Sequence, residues 1–257
     1  MKQNSFFLDS GAFSAFTKKV EIDIEEYVSF IKRNEKYIDV YSVLDAIGDP
    51  EKTLQNQKIM EGAGLKPLPC FHYGEDVKYL KYYLEKHEYI AFGGMVPIST
   101  GDLIHWLDYI FASFICDNSG LAKTKVHGFG LTSFKLMQRY PWYSVDSTSW
   151  MFHAAMGNIL FPIIENGAFQ FIKKCNLISI SDRSKKNKEF QHFETLSNRE
   201  KNEIKFYLES IGTNIEDVRD SYFHRYKVNI HYYLEMEKII EPYNQQKFLK
   251  YQKGFFV

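Results

Sequence analysis

The sequence predicts an α/β fold, a TIM-type (β/α)8 barrel carrying a helical C-terminal appendage, and three observations lead there. Short apolar runs alternate with amphipathic stretches six times, in units of very roughly 20–35 residues, which is the pattern of a parallel sheet with helical crossovers. The length, 257 residues, suits one barrel or one α/β domain with an extension. Polar residues and glycines collect directly after the apolar runs, where a parallel barrel keeps its functional groups.

Taken in order, the predicted strands are residues 5–9, 38–45, 66–72, 89–93, 125–128 and 143–146, each short and rich in Phe, Tyr, Val or Ile. The first, second and sixth end in Asp. Helical patterns lie between them at 24–34, 50–63, 77–86, 102–114 and 133–139. The second of these is bounded by recognisable chemistry: Asp49 caps a helix whose first residue is Pro50, and Gly62 and Gly64 close it. Two further apolar runs, 158–164 and 168–172, bring the strand number to eight. The domain organisation read from this is a barrel with its functional rim over residues 1–175 and a helical extension over 176–257, packed on the barrel. That extension opens with a charged stretch at 182–189 and continues with helical patterns at 197–211, 214–219 and 231–240, where Ser197 and Glu200 have capping-box spacing.

Composition excludes several classes. Apolar residues make up 45% and charged residues 25%, which rules out wholesale disorder and fibrous architectures. No apolar run approaches the ~18–20 residues that span a bilayer, and Asp9 interrupts the N-terminal apolar stretch, so a soluble cytoplasmic protein is expected. Three scattered cysteines, Cys70, Cys116 and Cys175, supply neither a disulfide framework nor a four-thiolate zinc site, and no metal or cofactor is expected. Over residues 1–150, 19 acidic against 16 basic residues give −3; over 151–257, 13 against 16 give +3. This mild asymmetry permits a C-terminal nucleic-acid contact without a strongly basic footprint. Aromatic residues reach 17%, with 22 Phe and 18 Tyr, enough for a heavily packed core or for base-stacking surfaces.

The strand ends read Asp9-Ser10-Gly11, Asp45, His72-Tyr73-Gly74, Gly93-Gly94, His127-Gly128-Phe129-Gly130 and Asp146-Ser147-Thr148-Ser149. Three carboxylates on one rim fit nucleophilic or acid–base chemistry at a centre with a leaving base, and equally fit ligation of a divalent cation. Glycines after strands let a ligand edge approach the backbone. Neither glycine motif has Rossmann or Walker spacing, so nucleotide-cofactor binding of those kinds is excluded.

The phrase Leu8-Asp9-Ser10-Gly11-Ala12-Phe13 resembles the Asp-Ser-Gly-Gly-Phe-Gln signature of the tRNA-guanine transglycosylase superfamily, a (β/α)8 barrel family. Four further features follow in the family's order. Asp45 stands for its base-recognising Asp, Gly93-Gly94 for its backbone clamp, Gly128-Phe129-Gly130 for its Gly-Val-Gly, and Asp146 for its nucleophile. The resemblance spans roughly residues 5–150. This chain departs from it at Ala12 and Ser14, at His72-Tyr73-Gly74 and at Ser147-Thr148-Ser149-Trp150, and it lacks the Cys-x-Cys-x-x-Cys plus His zinc element of the tRNA enzymes. In these respects it looks closer to the phage-type 7-deazaguanine DNA transglycosylases, a resemblance that would place it in a host cytoplasm.

The resemblance implies an enzyme, a pentosyltransferase that replaces guanine in DNA with a 7-deazaguanine base through a covalent glycosyl-aspartate. Asp146 is then the nucleophile and Asp9 the general acid/base. Ser10, Asp45, His72, Gly93, Gly94 and Gly128 bind the base, and Phe13, Tyr73, Phe92 or Trp150 stack on the flipped nucleotide. The basic run Arg183, Lys185, Lys186 and Lys188 is the expected polymer contact. The alternatives are a minimal tRNA-guanine transglycosylase acting on RNA, a non-catalytic base- or nucleic-acid-binding protein, and a metal-dependent hydrolase using Asp9, Asp45, His72 and His127. Oligomeric state is not legible.

Overall fold

Six parallel strands follow one another in space in the order in which the chain makes them. The computed structural model describes residues 6–171, 175–187 and 191–253. In it β1 (Phe7–Leu8) pairs with β2 (Val40–Tyr41), Phe7 opposite Val40. A single parallel bridge from Ser42 to Leu68 carries the series on. There β3 (Cys70–His72), β4 (Tyr89–Gly93), β5 (Lys125–Gly128) and β6 (Ser144–Val145) form a four-stranded parallel sheet. Parallel neighbours require long crossovers. These are supplied by α1 (Ala12–Lys18) with α2 (Ile24–Asn34), by α3 (Pro50–Gly62), α4 (Val77–Lys86) and α5 (Thr100–Ile110), and by α6 (Phe134–Arg139).

The starts of these helices are written in the sequence. Asp23, Asp49, Asp76 and Ser99 each accept a first-turn backbone N–H of α2, α3, α4 and α5, satisfying donors the helix itself leaves free. Strands β3, β4 and most of β5 are buried, whereas β1 and β6 are half-buried. Val43, Leu44, Leu68, Cys70 and Ala91 pack with Ile31 and Met60 from the helices. On β3 and β4, Phe71 and Phe92 meet Trp106 of α5. The sheet is curved: Phe7 of β1 stacks on His127 of β5 with ring centroids 4.5 Å apart, although three strands separate them in the series. Among the described residues no ladder joins β1 to β6.

The chain forms two compact units. The first comprises Met1–Leu131, Arg139–Asp146 and Tyr243–Val257 and holds the parallel series. Within it Arg139 makes a two-pronged ion pair with the buried Asp108, at 2.9 and 2.6 Å, which Tyr140 joins at 2.8 Å. The last helix, α11 (Gln245–Lys253), belongs to this unit, its Phe248 buried against Tyr140. The second unit comprises Thr132–Gln138 and Ser147–Pro242. It contains α7 (Ser149–Ala155), an antiparallel pair of β7 (Asn158–Phe161) with β10 (Asn176–Ser179), and a hairpin of β8 (Ile163–Glu165) with β9 (Ala168–Gln170). Helices α8 (Asn198–Ser210), α9 (Ile215–Asp220) and α10 (Tyr222–Ile239) complete it. The buried Asn229 of α10 fastens this unit: its carbonyl accepts the Leu160 N–H at 2.7 Å and its amide reaches the Trp150 and Asn158 carbonyls.

The fold is thus mixed α/β with a parallel series. The six parallel strands and the five helical patterns between them fall where the sequence places them, and Ser197 and Glu200 form the capping box on α8. The seventh and eighth apolar runs do not: they make antiparallel ladders inside the second unit. For the β8–β9 hairpin the reason is local. Asn166 and Gly167 both take positive φ, a two-residue turn that sends the chain straight back, whereas a parallel strand needs a crossover. The expected seam at 175/176 is not among the boundaries of the compact units, which fall at 131/132, 138/139, 146/147 and 242/243. Helices α1, α7 and α11 and the first half of α10 are additional to the expected set. No described helix is long and apolar enough to cross a membrane.

Candidate functional site

Asp45 and His72 meet at the C-terminal ends of β2 and β3. His72 is the last residue of β3, and its Nε2 lies 3.0 Å from Asp45 Oδ2. Its Nδ1 lies 2.8 Å from Glu75 Oε1, and its backbone N–H donates to Glu75 Oε2 at 3.0 Å. The ring is therefore held between two carboxylates, with His72 and Glu75 side chains only 7% and 8% exposed. The other Asp45 oxygen accepts the Ser10 hydroxyl at 2.9 Å. Ser10 is fixed in turn by its N–H to Ser42 Oγ and by the Ala12 N–H, so the turn after β1 and the end of β2 are joined by side chains. Cys70, two residues before His72 on the same face of β3, places Sγ 3.5 Å from Nε2.

Charge follows geometry here. Burial disfavours the imidazolium, but the Cys70 sulfur and the hydrogen bonds to Asp45 and Glu75 reverse this, and the His72 pKa is raised well above the usual imidazole range. Burial pushes the Cys70 thiol up to about 11, opposed by His72 beside it.

Asp9 and Asp146 complete the rim. Asp9 as a residue keeps contact with solvent, yet protein surrounding its carboxyl raises its pKa, opposed by the Gly11 N–H and reinforced by the charges of Asp45 and Asp146. Asp9 is therefore close enough to feel the charges of both Asp45 and Asp146. Asp146 follows β6, and its side chain is 43% exposed. Its Oδ1 accepts the Gly130 N–H at 3.0 Å, while the Leu131 N–H caps its carbonyl at 2.9 Å. His127 of β5 points Nε2 at the same oxygen from 3.7 Å, too far for a hydrogen bond, and that atom finds no hydrogen-bond partner among the described residues. The other ring nitrogen of His127 is tied to Ser144 Oγ at 2.8 Å, which also meets the Tyr89 hydroxyl at 2.8 Å.

Several expected site residues have other uses. Gly93 is buried, and a Cβ there would come within 2.8 Å of His72 Cδ2 and 2.9 Å of Cys70 Sγ, so its missing side chain makes room for those two residues. Gly94 is exposed, with φ +66°, and offers its backbone to solvent. Gly128 lies beneath Trp142 and Leu131, which a Cβ would crowd at 3.2 and 3.3 Å; the glycine whose N–H serves Asp146 is Gly130. Of the four expected stacking residues, Phe92 is fully buried among Phe71, Trp106, Phe111 and Trp142 and is a core residue. Tyr73 leans on Trp106 and Trp150 on Tyr226, whereas Phe13 is 60% exposed on α1. In the basic run Arg183, Lys185 and Lys186 are exposed, and Lys186 is 3.4 Å from Asp182. Lys188 lies outside the described residues.

Glu75, Cys70 and Gly130 are additional to the site expected from the sequence. A signal exists for Cys70 and Glu75: Cys-x-His on a strand puts both side chains on one face, and a carboxylate three residues after a histidine can turn back onto its ring.

No family profile, curated protein or solved structure matches this chain. The site defines itself by its own geometry: an α/β protein with acidic residues and a clamped histidine at the ends of parallel strands.

Proposed function

We propose that the protein is a base-exchange transglycosylase that replaces guanine in DNA with a 7-deazaguanine base. The observation that carries this reading is that Asp9 feels the charges of Asp45 and Asp146 while Asp9 and Asp146 have unlike surroundings. Asp9, exposed as a residue but with its pKa raised by the protein around its carboxyl and by its neighbours, is suited to hold and deliver a proton to a departing purine nitrogen. Asp146, half-exposed and oriented by the Gly130 N–H, is suited to attack an anomeric carbon. Carboxyls whose surroundings set them apart are how one site divides acid and nucleophile roles.

In the proposed sequence Asp146 bonds to C1′ as the C1′–N bond to guanine breaks, and Asp9 gives the leaving base its proton. The incoming base then returns its proton to Asp9 and attacks C1′, expelling the Asp146 carboxylate with net retention. Asp45, steadied by Ser10 and His72, accepts N–H groups of the guanine edge, a pairing suited to a carboxylate. The exposed Phe13 is the remaining stacking residue on this rim for a flipped base. The curved parallel series, with Phe7 against His127, is read as the frame of a (β/α)8 barrel. DNA is favoured over tRNA because the chain has no counterpart of the cysteine-rich zinc element. Incubation with guanine-containing DNA or tRNA and labelled guanine or 7-deazaguanine tests the proposal: label entering DNA supports it, label entering only tRNA moves it to RNA, and label entering neither removes it.

A further inference from the structure

The structure assigns a second property to the strand ends that the base-exchange reading does not require: Asp45 Oδ2, Cys70 Sγ and His72 Nε2 form a mononuclear site for a zinc-class divalent ion. These three ligand atoms all lie within 4.8 Å of one another. A tetrahedral zinc with its usual bond lengths holds a nitrogen and a sulfur ligand about 3.5 Å apart, and a nitrogen and an oxygen ligand about 3.3 Å apart. The observed separations are 3.5 Å for Nε2 to Sγ and 3.0 Å for Nε2 to Oδ2. Both separations from the imidazole are thus within a few tenths of an ångström of the tetrahedral values, and Sγ and Oδ2 lie within 4.8 Å of each other.

The surroundings are those of a metal site as well. A ligating imidazole characteristically gives its other N–H to a carboxylate, which fixes the tautomer and aims the free nitrogen. Glu75 does this at Nδ1, from 2.8 Å. The non-ligating oxygen of Asp45 is held by Ser10, and Gly93 leaves the space into which Sγ and the ring fit. Hydrogen bonding alone accounts poorly for Cys70. The single proton on Nε2 serves one acceptor, and Asp45 is the nearer; an ion serves all three atoms at once. A sulfur, an imidazole and one carboxylate suit zinc over magnesium or calcium, and three protein ligands leave a fourth position open. Binding sends the Nε2 proton and the Sγ proton to solvent, leaving a neutral imidazole and a thiolate as ligands.

The inference does not rest on base exchange, and its test reads metal alone. The full chain is stripped with a chelator and titrated with Co2+, then loaded with Zn2+ for X-ray absorption. The expected result is one equivalent of cobalt with sulfur-to-cobalt charge-transfer absorption, lost in Cys70→Ser and His72→Gln and kept in Cys175→Ser. The wild-type zinc complex should show one sulfur at about 2.3 Å beside nitrogen and oxygen ligands at about 2.0–2.2 Å. The last measurement needs no variant, so a misfolded Cys70→Ser leaves the question decidable. Absence of the sulfur shell in wild-type protein, or cobalt absorption unchanged in a folded Cys70→Ser, overturns the site. Base exchange by metal-free protein leaves the proposed function standing whatever the metal result.

Discussion

His72 Nε2 lies 3.0 Å from Asp45 Oδ2, and this pairing joins the ends of two neighbouring strands through side chains. It is buried, so the charges it brings together cannot be left to solvent, and Glu75 on the far side of the ring is part of the same unit.

Glu75→Gln removes one of the two carboxylates that hold the imidazolium. The expected cost is about 3 kcal/mol of stability, since a buried charge then keeps a single partner. The pH dependence follows from the raised pKa of His72. Its contribution is full below the ordinary imidazole pKa, near 6.5, and is lost progressively as pH rises above it towards the higher folded value. Urea unfolding of the metal-free proteins from pH 6 to pH 9 should show wild-type stability falling with pH, and the wild-type advantage over Glu75→Gln largest at the acid end. Identical curves for the two proteins would remove the clamp.

Asp9 also has a raised pKa, but here the neutral form is the protonated one. The fold favours the protonated carboxyl, so its favourable contribution is present at low pH and is lost as pH rises through the folded value. Asp9→Asn removes this loss. The variant should match the wild type in acid, gain on it as pH rises towards neutrality, and lack exchange activity. A variant less stable than wild type at pH 7 contradicts the assignment.

Asp146→Asn keeps an oxygen for the Gly130 N–H and is nearly isosteric, but an amide is a poor nucleophile towards an anomeric carbon. Exchange should fall to background with circular dichroism unchanged. Undiminished label incorporation takes Asp146 out of the nucleophile role.

At Asp45, substitution by Asn presents one donor and one acceptor where the carboxylate presents two acceptors. Calorimetry on the folded variant should show guanine binding weakened by at least about 1–3 kcal/mol. Unchanged affinity would mean that the base is read elsewhere.

The polymer surface is testable by salt. Charge reversal at Lys185 and Lys186 should weaken DNA binding across all sequences and flatten its salt dependence by about one unit of slope for each phosphate no longer neutralised. Lys185 should account for more of the change, because Lys186 already faces Asp182. Affinity for the free base should stay the same. A full salt slope in the double variant, or tRNA outcompeting DNA on a filter, counts against the DNA assignment.

What the sequence determined by itself is what short-range chemistry determines. Alternation of apolar runs with amphipathic stretches dictated the parallel series, because strands buried on both faces must be apolar and must be joined by crossovers. The Asp49 cap marked where α3 begins, because a free N–H has to be satisfied within the turn that bears it. The three aspartates were legible for the same reason, each ending an apolar run. The Asn166-Gly167 turn is equally local, and it alone distinguishes the antiparallel hairpin of β8 and β9 from a pair of barrel strands. Tertiary structure alone decided the rest, since it depends on atoms distant in sequence. Whether Gly93 and Gly128 face a ligand or make room for a neighbour depends on His72, Cys70 and Trp142. That Phe92 lies in the core and Phe13 at the surface depends on which face of each element the neighbours cover. The convergence of Asp45, Cys70 and His72 on one point required the strand register, because only register brings the end of the segment after β2 beside the face of β3 that carries Cys70 and His72.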